Sequence, residues 1–235
     1  MDVSHKKRNL ILSILFFLPV AFIIIMLLSK ENYTPLDIVK EHIAELPINK
    51  DSIQLKNHIT VLSFLGKQPM ANSVAALNLK ELIYDRCRGF KTFQIVTLLP
   101  HSAKNEAQQL FKKIQSYEDL RFWHFVYTEE SEINKVYNSL KSNVNLDKHL
   151  GCNSVFIIDK DLNQRGRIDD RTKNEIKTNK PIYGLYNYDC IKVAELKNKM
   201  SAEDMRVLFT EYRDKRVGKF EGSKTRRAKD LKTDE

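Results

Sequence analysis

The stretch Ile59-Thr60-Val61-Leu62-Ser63-Phe64-Leu65-Gly66-Lys67-Gln68-Pro69-Met70-Ala71-Asn72-Ser73 decides how this chain folds. Its first seven residues form an apolar, β-branched run without polar alternation, the pattern of a strand covered on both faces. Gly66 ends the run, and a loop with Pro69 follows. Ala75, Leu79, Leu82 and Ile83 then fall at i, i+4, i+7 and i+8, which places one apolar stripe on a helix. A doubly covered strand that runs straight into a helix opens an α/β unit.

The alternation continues downstream. Phe93 to Leu99 reads as a second strand stopped by Pro100, and Ala103 to Tyr117 as an amphipathic helix. Phe122 to Tyr127 reads as a third strand, followed by a helix from about Glu129 to Leu140. Val155 to Asp159 is a fourth strand that turns through Lys160 to Asn163 into Arg165-Gly166-Arg167-Ile168 as a hairpin. Asp159, Asp161 and Asn163 also begin like a calcium loop. Gln164 and Asp170 stand where its glycine and glutamate are required, so a hairpin turn explains them better. Residues 169–180 are expected as an exposed loop, with Asp169, Asp170, Arg171 and Asp189 as solvated charges. Ser201 is expected to cap a last helix with Asp204 in its first turn, and Met205, Leu208, Phe209 and Tyr212 form its stripe. Tyr183, Tyr186 and Tyr188 around Gly184 suit either a recognition loop or a segment folded onto the sheet.

Upstream, Leu10 to Ser29 is twenty residues without a charge. At about 1.5 Å per residue such a helix crosses the roughly 30 Å hydrocarbon core of a bilayer. Pro19 within it is tolerated in lipid. His5-Lys6-Lys7-Arg8 precedes the run, so the positive-inside rule leaves the N-terminus in the cytoplasm. The exit Leu27-Leu28-Ser29-Lys30-Glu31-Asn32 has no small-residue cleavage site, which favours an uncleaved signal anchor over a signal peptide. The expected organisation is a cytoplasmic basic segment (1–8), a transmembrane anchor (9–29), a stalk (30–58) with a modest helical pattern at Leu36, Val39 and Ile43, a domain (59–212) and a basic disordered tail (213–235). The expected location is the inner membrane, single-pass, with the domain in the periplasm and Leu10 to Ser29 in contact with lipid.

Composition agrees with this division. Seven Gly and six Pro are too few for a fibrous or low-complexity chain, and 42% apolar against 29% charged residues excludes a wholly disordered one. The net charge of +9 reads at first as a nucleic-acid signal. Nine Lys or Arg against five Asp or Glu lie in the tail, and the N-terminal cluster is the topology signal, so the domain is only mildly basic. Together with the outward compartment this argues against a nucleic-acid partner and for an envelope protein or anionic surface. No G-x-x-x-x-G-K-[ST], H-E-x-x-H or G-x-S-x-G motif is present.

The order βαβαβαββα resembles the thioredoxin-like superfamily of the peroxiredoxin and SCO/SenC type. Three phrases carry the resemblance: Ile59 to Gly66 with its Pro-containing turn and helix; Trp123-His124-Phe125-Val126 with Glu129 to Ile133; and Val155 to Asp161 with Arg165-Gly166-Arg167, similar to the family's late hairpin F-x-I-D-K-x-G-x-x-R-G. Over residues 55–212 the chain is similar to membrane-anchored SCO-like proteins of Bacteroidetes. The resemblance implies a thioredoxin-like three-layer α/β sandwich with a mixed, mostly parallel central sheet, the final hairpin adding an antiparallel strand. It also implies a CxxxCP motif after the first strand which, with a downstream His, binds copper or exchanges a disulfide. In this chain the matching turn holds Lys67, Gln68, Pro69 and Met70 and has no cysteine, so neither thiol exchange nor two-thiolate copper binding has a place there.

The expectation is therefore a non-catalytic binding or assembly module without a cofactor and without enzymatic activity. The alternative is a copper chaperone or cytochrome c oxidase assembly factor with a rearranged set of Met70, His149 and Cys152. The three cysteines, Cys87, Cys152 and Cys190, form no CxxC or zinc pattern. An outward compartment permits a Cys152 to Cys190 disulfide, and Cys87 reads as a half-buried small hydrophobe.

Overall fold

Ile59–Leu65 forms β2, and every one of its residues is buried in the computed structural model, which describes residues 2–28, 33–115 and 119–218. β3 (Phe93–Pro100) is buried along its length and lies parallel to β2, and β4 (Trp123–Thr128) lies parallel to β3. Helices make both crossovers. The first is α2 (Ser73–Leu79), a π-helical turn (Lys80–Tyr84) and α3 (Asp85–Cys87); the second is α4 (Lys104–Gln115). On the other side of β2 lie β5 (Gly151–Ile158) and β6 (Gln164–Gly166), each antiparallel to its neighbour. β1 (Asp37–Lys40) closes that edge against β6, giving the order β1-β6-β5-β2-β3-β4, and β7 (Tyr188–Asp189) pairs with β5.

The sheet is mixed, as the sequence implies, but parallel pairing is confined to β2, β3 and β4. The fourth strand of the sequence reading is already antiparallel. After α5 (Glu130–Asn138) the loop 139–150 delivers the chain to the end of the sheet where β2 exits, and Gly151 pairs with Leu65. Two apolar layers enclose the sheet. Ile59, Val61 and Leu65 pack with α2, α4 and the C-terminal helix. Leu62 and Phe64 pack with α5 and with Ile43, Leu46 and Leu55.

That second layer corrects the expected stalk. From Tyr33 onward the segment belongs to the domain: Leu36, Ile43, Leu46 and Leu55 are buried, and β1 is an edge strand rather than part of a helix. The spacing of Leu36, Val39 and Ile43 fits a helix, but the unpaired edge of β6 offers the backbone a ladder, which the isolated pattern does not reveal. Glu45 holds the following loop, its carboxylate accepting the backbone N–H groups of Leu46, Leu55 and Lys56 at 2.9, 2.6 and 2.9 Å. Charge-assisted bonds of this kind contribute about 1.5–3 kcal/mol, so Glu45→Ala is expected to lower stability by about 2 kcal/mol in urea unfolding.

Two further elements differ from expectation. Residues 169–180 contain a short helix, α6 (Lys173–Lys177), started by a capping box between Thr172 and Glu175. The last helix begins earlier, as a π-helical stretch (Glu195–Met205) that continues into α7 (Arg206–Arg216). Ser201 therefore lies inside it and is buried rather than capping it, and residues 213–216 are helical rather than tail. The expected disorder beyond residue 218 lies outside the described residues. At the other end, α1 (Asp2–Leu28) carries the apolar span, and from Leu10 to Ile25 its large side chains pack against nothing in the domain.

Candidate functional site

The turn after β2 is the candidate site expected from the sequence. Gly66 adopts φ +72°, and a Cβ there would stand 2.5 Å from the His149 carbonyl oxygen and 2.7 Å from the Gly151 nitrogen. Only glycine fits such a position. The close approach lets the Lys67 N–H donate to the His149 carbonyl at 2.7 Å, so the loop before β5 rests directly on the turn. Asp147 shapes that loop, its Oδ1 accepting the N–H groups of His149 and Gly151 at 2.8 and 2.9 Å.

The rest of the turn is tied internally. Ala71, Asn72 and Ser73 donate their N–H groups back to the carbonyls of Gln68, Pro69 and Met70. Asn72 Nδ2 donates to the Leu65 carbonyl at 3.0 Å, and the Met70 N–H donates to Glu106 Oε1 of α4 at 3.0 Å. Lys67 pairs with Glu130 at the start of α5 at 2.7 Å. Pro69 is buried, Met70 packs against the α2/α4 layer, and Gln68 and Ala71 face solvent. The backbone N–H groups of Lys67, Met70, Ala71, Asn72 and Ser73 are thus spent on the protein itself.

The proposed ligands lie around the turn. His149 lies at the turn, half-buried, with its backbone engaged as above. Met70 packs against the layer of α2 and α4; Cys152 packs against the opposite layer and also lines the pocket beneath the turn with Leu65, Ala76 and Cys190. Among the described residues no group of three or more His, Cys, Asp or Glu side chains has metal-binding geometry.

All three cysteines are free. Cys190 donates its N–H to the Asn153 carbonyl at 2.8 Å. Cys152 and Cys190 line the same narrow apolar pocket beneath the turn, with Leu65, Ala76, Leu79, Trp123 and Asn153, as two separate thiols rather than the expected disulfide. Burial pushes the Cys152 thiol up to about 11 and the Cys87 thiol up to about 12, and it raises Cys190 as well. Since the thiolate is the nucleophile, iodoacetamide at neutral pH is expected to label the native protein slowly at Cys152 and hardly at Cys87 or Cys190. In urea all three should label fast; peptide mass spectrometry reads the difference, and rapid native labelling of Cys152 would contradict it.

Residues that the sequence reading set aside form the most polar cluster of the interior. Arg165 is 3% exposed and donates to Asp159 Oδ2 at 3.0 Å and to both carboxylate oxygens of Glu211 at 3.2 and 2.6 Å. It also donates twice to the Leu36 carbonyl. Two residues on, Arg167 binds Asp204 and Asp170, and the Tyr188 hydroxyl donates to Asp204 at 2.7 Å. Asp204 is thus a buried ion-pair partner and not a cap, and Asp170 is not a solvated loop charge. Asp189 takes no part in this cluster: it neighbours Lys192. Asp159 Oδ1 accepts from the N–H groups of Asp161 and Asn163, which confirms the hairpin turn. Tyr188 folds onto the sheet, Tyr183 donates to Glu175 and Tyr186 lies beneath Lys141. A usable signal existed: Asp204 and Glu211 stand seven apart on the apolar stripe of the last helix, opposite two arginines two apart on a strand.

A central strand that feeds a helix-opening turn, two parallel crossovers on one side and an antiparallel pair on the other define a thioredoxin-like α/β domain. Solved structures with a similar chain path are SCO/SenC-like and thiol:disulfide interchange proteins. A SCO1/SenC family lipoprotein from Bacillus anthracis is 17% identical over 73% of this chain and 99% of its own, with a TM-score of 0.42. Apo Sco1 from Thermus thermophilus is 10% identical over 74% and 92%, with a TM-score of 0.41. A candidate thiol:disulfide interchange protein, DsbE, from Chlorobium tepidum is 11% identical over 74% and 99%, with a TM-score of 0.44. No family model and no curated protein matches the sequence.

Proposed function

We propose that this chain is a membrane-tethered thioredoxin-fold module that binds, or helps to assemble, a protein of the cell envelope without thiol or copper chemistry of its own. One observation carries the reading. The turn Gly66–Ser73 has no cysteine, and the Lys67, Met70 and Asn72 groups that point from it are bonded to Glu130, the His149 carbonyl, Glu106 and Leu65. Thiol exchange and thiolate coordination need an accessible sulfur at that place. What the turn presents outward is a contact surface: Gln68, Ala71 and Val74, with the Lys67–Glu130 pair beside it. The basic run Lys6-Lys7-Arg8 before the span supports an inner-membrane orientation with this surface in the periplasm.

A Cu(I) titration of the purified protein against a chromophoric competitor tests the reading. No stoichiometric binding is expected. Tight one-to-one binding that disappears in His149→Ala and in Cys152→Ala would overturn it in favour of a copper-handling role. Pull-down of the intact membrane protein in mild detergent is expected to recover an envelope complex, with Gln68→Arg in the turn weakening recovery.

A further inference from the structure

Four residues, 29–32, lie between Leu28 at the end of α1 and Tyr33. Five steps of at most ~3.6 Å keep the two Cα atoms within about 18 Å. Tyr33 is fixed to the domain through its hydroxyl, which donates to Asp214 Oδ2 at 3.0 Å in the last turn of α7. If α1 spans the bilayer, the C-terminal end of α7 is held close to the membrane surface.

That end gathers cations. Lys160 in the β5–β6 turn and Lys215 of α7 both lie over the Tyr212 ring, 5.2 and 4.6 Å from its centroid. Burial and the nearby Arg216 charge hold the Lys160 ammonium below its usual pKa. The acidic groups around the cluster are engaged: Asp161 accepts from the Tyr212 hydroxyl, Asp214 accepts from Tyr33 and stands 3.5 Å from Arg213, and Glu211 is bound by Arg165 and Lys215. Lys160, Arg213, Lys215 and Arg216 outnumber Asp161 and Asp214 at this end, with Glu211 shared between Arg165 and Lys215, and an anionic surface favours such an excess of cations. A tyrosine flanked by lysines is also an amphipathic set suited to the headgroup level. Exposed Val217 follows, and residues 219–235 add six Lys or Arg against four Asp or Glu.

We propose that this pole, built from Lys160, Tyr212, Lys215 and Arg216, rests on anionic lipid headgroups and thereby orients the domain with the Gly66–Ser73 turn directed away from the bilayer. The register fixes the second half of the statement. Thr60 pairs with Ile158 and Leu65 with Gly151, so Lys160 and Gly66 lie at opposite ends of the sheet. The seven residues of β2, at ~3.3 Å each, separate those ends by roughly 20 Å. The proposal rests on α1 being the anchor, and it adds a function for the basic end of the chain.

The test uses the full-length protein in vesicles and its single tryptophan. Trp123 opens β4 opposite Ile95, in the half of the sheet nearer Lys160. Energy transfer from Trp123 to dansyl-labelled headgroups is compared in phosphatidylcholine and in phosphatidylcholine mixed with phosphatidylglycerol. Greater transfer in the anionic vesicles is expected, with the difference abolished by high salt and by Lys160→Glu with Arg216→Glu. Equal transfer in the two lipids, or a difference that survives charge reversal, overturns the proposal. Lys160→Gln with Arg216→Gln, checked by near-ultraviolet circular dichroism, repeats the comparison should the reversed variant misfold. Alkaline carbonate separates the two layers of the argument. Release of the protein from the vesicles overturns the anchor and the docking together, whereas a retained protein without lipid-charge dependence overturns docking alone.

Discussion

Arg165→Ala is expected to lower the free energy of unfolding by about 3–5 kcal/mol, the usual consequence of removing one partner from a buried ion pair. The guanidinium joins four separate parts of the chain: the Leu36 carbonyl before β1, Asp159 at the end of β5, its own strand β6, and Glu211 on α7. Without it Glu211, 2% exposed, keeps only Lys215 at 2.7 Å, and Asp159, 1% exposed, keeps only the N–H groups and amide of its turn. Both carboxylates would then be buried with too few donors, and that desolvation supplies most of the loss. Guanidinium chloride or urea unfolding measures it. The double variant Arg165→Ala with Glu211→Ala should lose less than the sum of the singles, because it removes the stranded charge along with its partner. A loss under about 1 kcal/mol for the single variant would show that Asp159 and Glu211 are relieved by protonation or hydration once Arg165 is gone, and would sink the stranded-charge account.

Removing residues 33–58 should abolish cooperative folding of the domain. Leu36, Ile43, Leu46 and Leu55 are each at most 7% exposed. Burying such a side chain is worth about 1.5–3 kcal/mol, so the four together approach the whole stability of about 5–15 kcal/mol usual for a domain. The deletion also strips β1 from β6 and takes away the carbonyl that Arg165 grips. A fragment of residues 33–218 is expected to melt in one sharp transition by near-ultraviolet circular dichroism, and a fragment of residues 59–218 to show none. A sharp transition in the shorter fragment would make the segment a stalk after all.

The difference between those fragments marks where sequence reasoning stops. β2 and β3 were legible because burial on both faces leaves no polar residue except hydroxyls and one glutamine in fifteen positions. The hairpin was legible because Asp159, Asp161 and Asn163 can serve a turn and cannot complete a calcium loop. β1 was not, because a four-residue edge strand with two half-buried positions has no signal of its own and exists only because β6 needs a neighbour. The direction of β5 was hidden for a related reason, since it depends on where the loop 139–150 lands. At the site, the absence of cysteine from the turn after β2 could be read directly from the sequence. That Cys152 and Cys190 share a pocket beneath the turn depends on the pairing of β5 with both β2 and β7. Asp204 illustrates the remaining ambiguity: an acidic residue three after a serine reads as a cap until Arg167 is placed against it.

If α1 is a membrane tether, its entry through the edge strand of the sheet also makes the domain a mechanical element. Tension between a bilayer and a protein held at the far turn would then pass first through the Tyr33–Asp214 bond, then through the grip of Arg165 on the Leu36 carbonyl, and then along the short β1–β6 ladder. These links are in series with the load, while β2, β3 and β5 lie behind them. Pulling would therefore unzip β1 and bare the edge of β6 before it disturbed the turn, so the outward surface would keep its shape under force while the membrane-side edge yields.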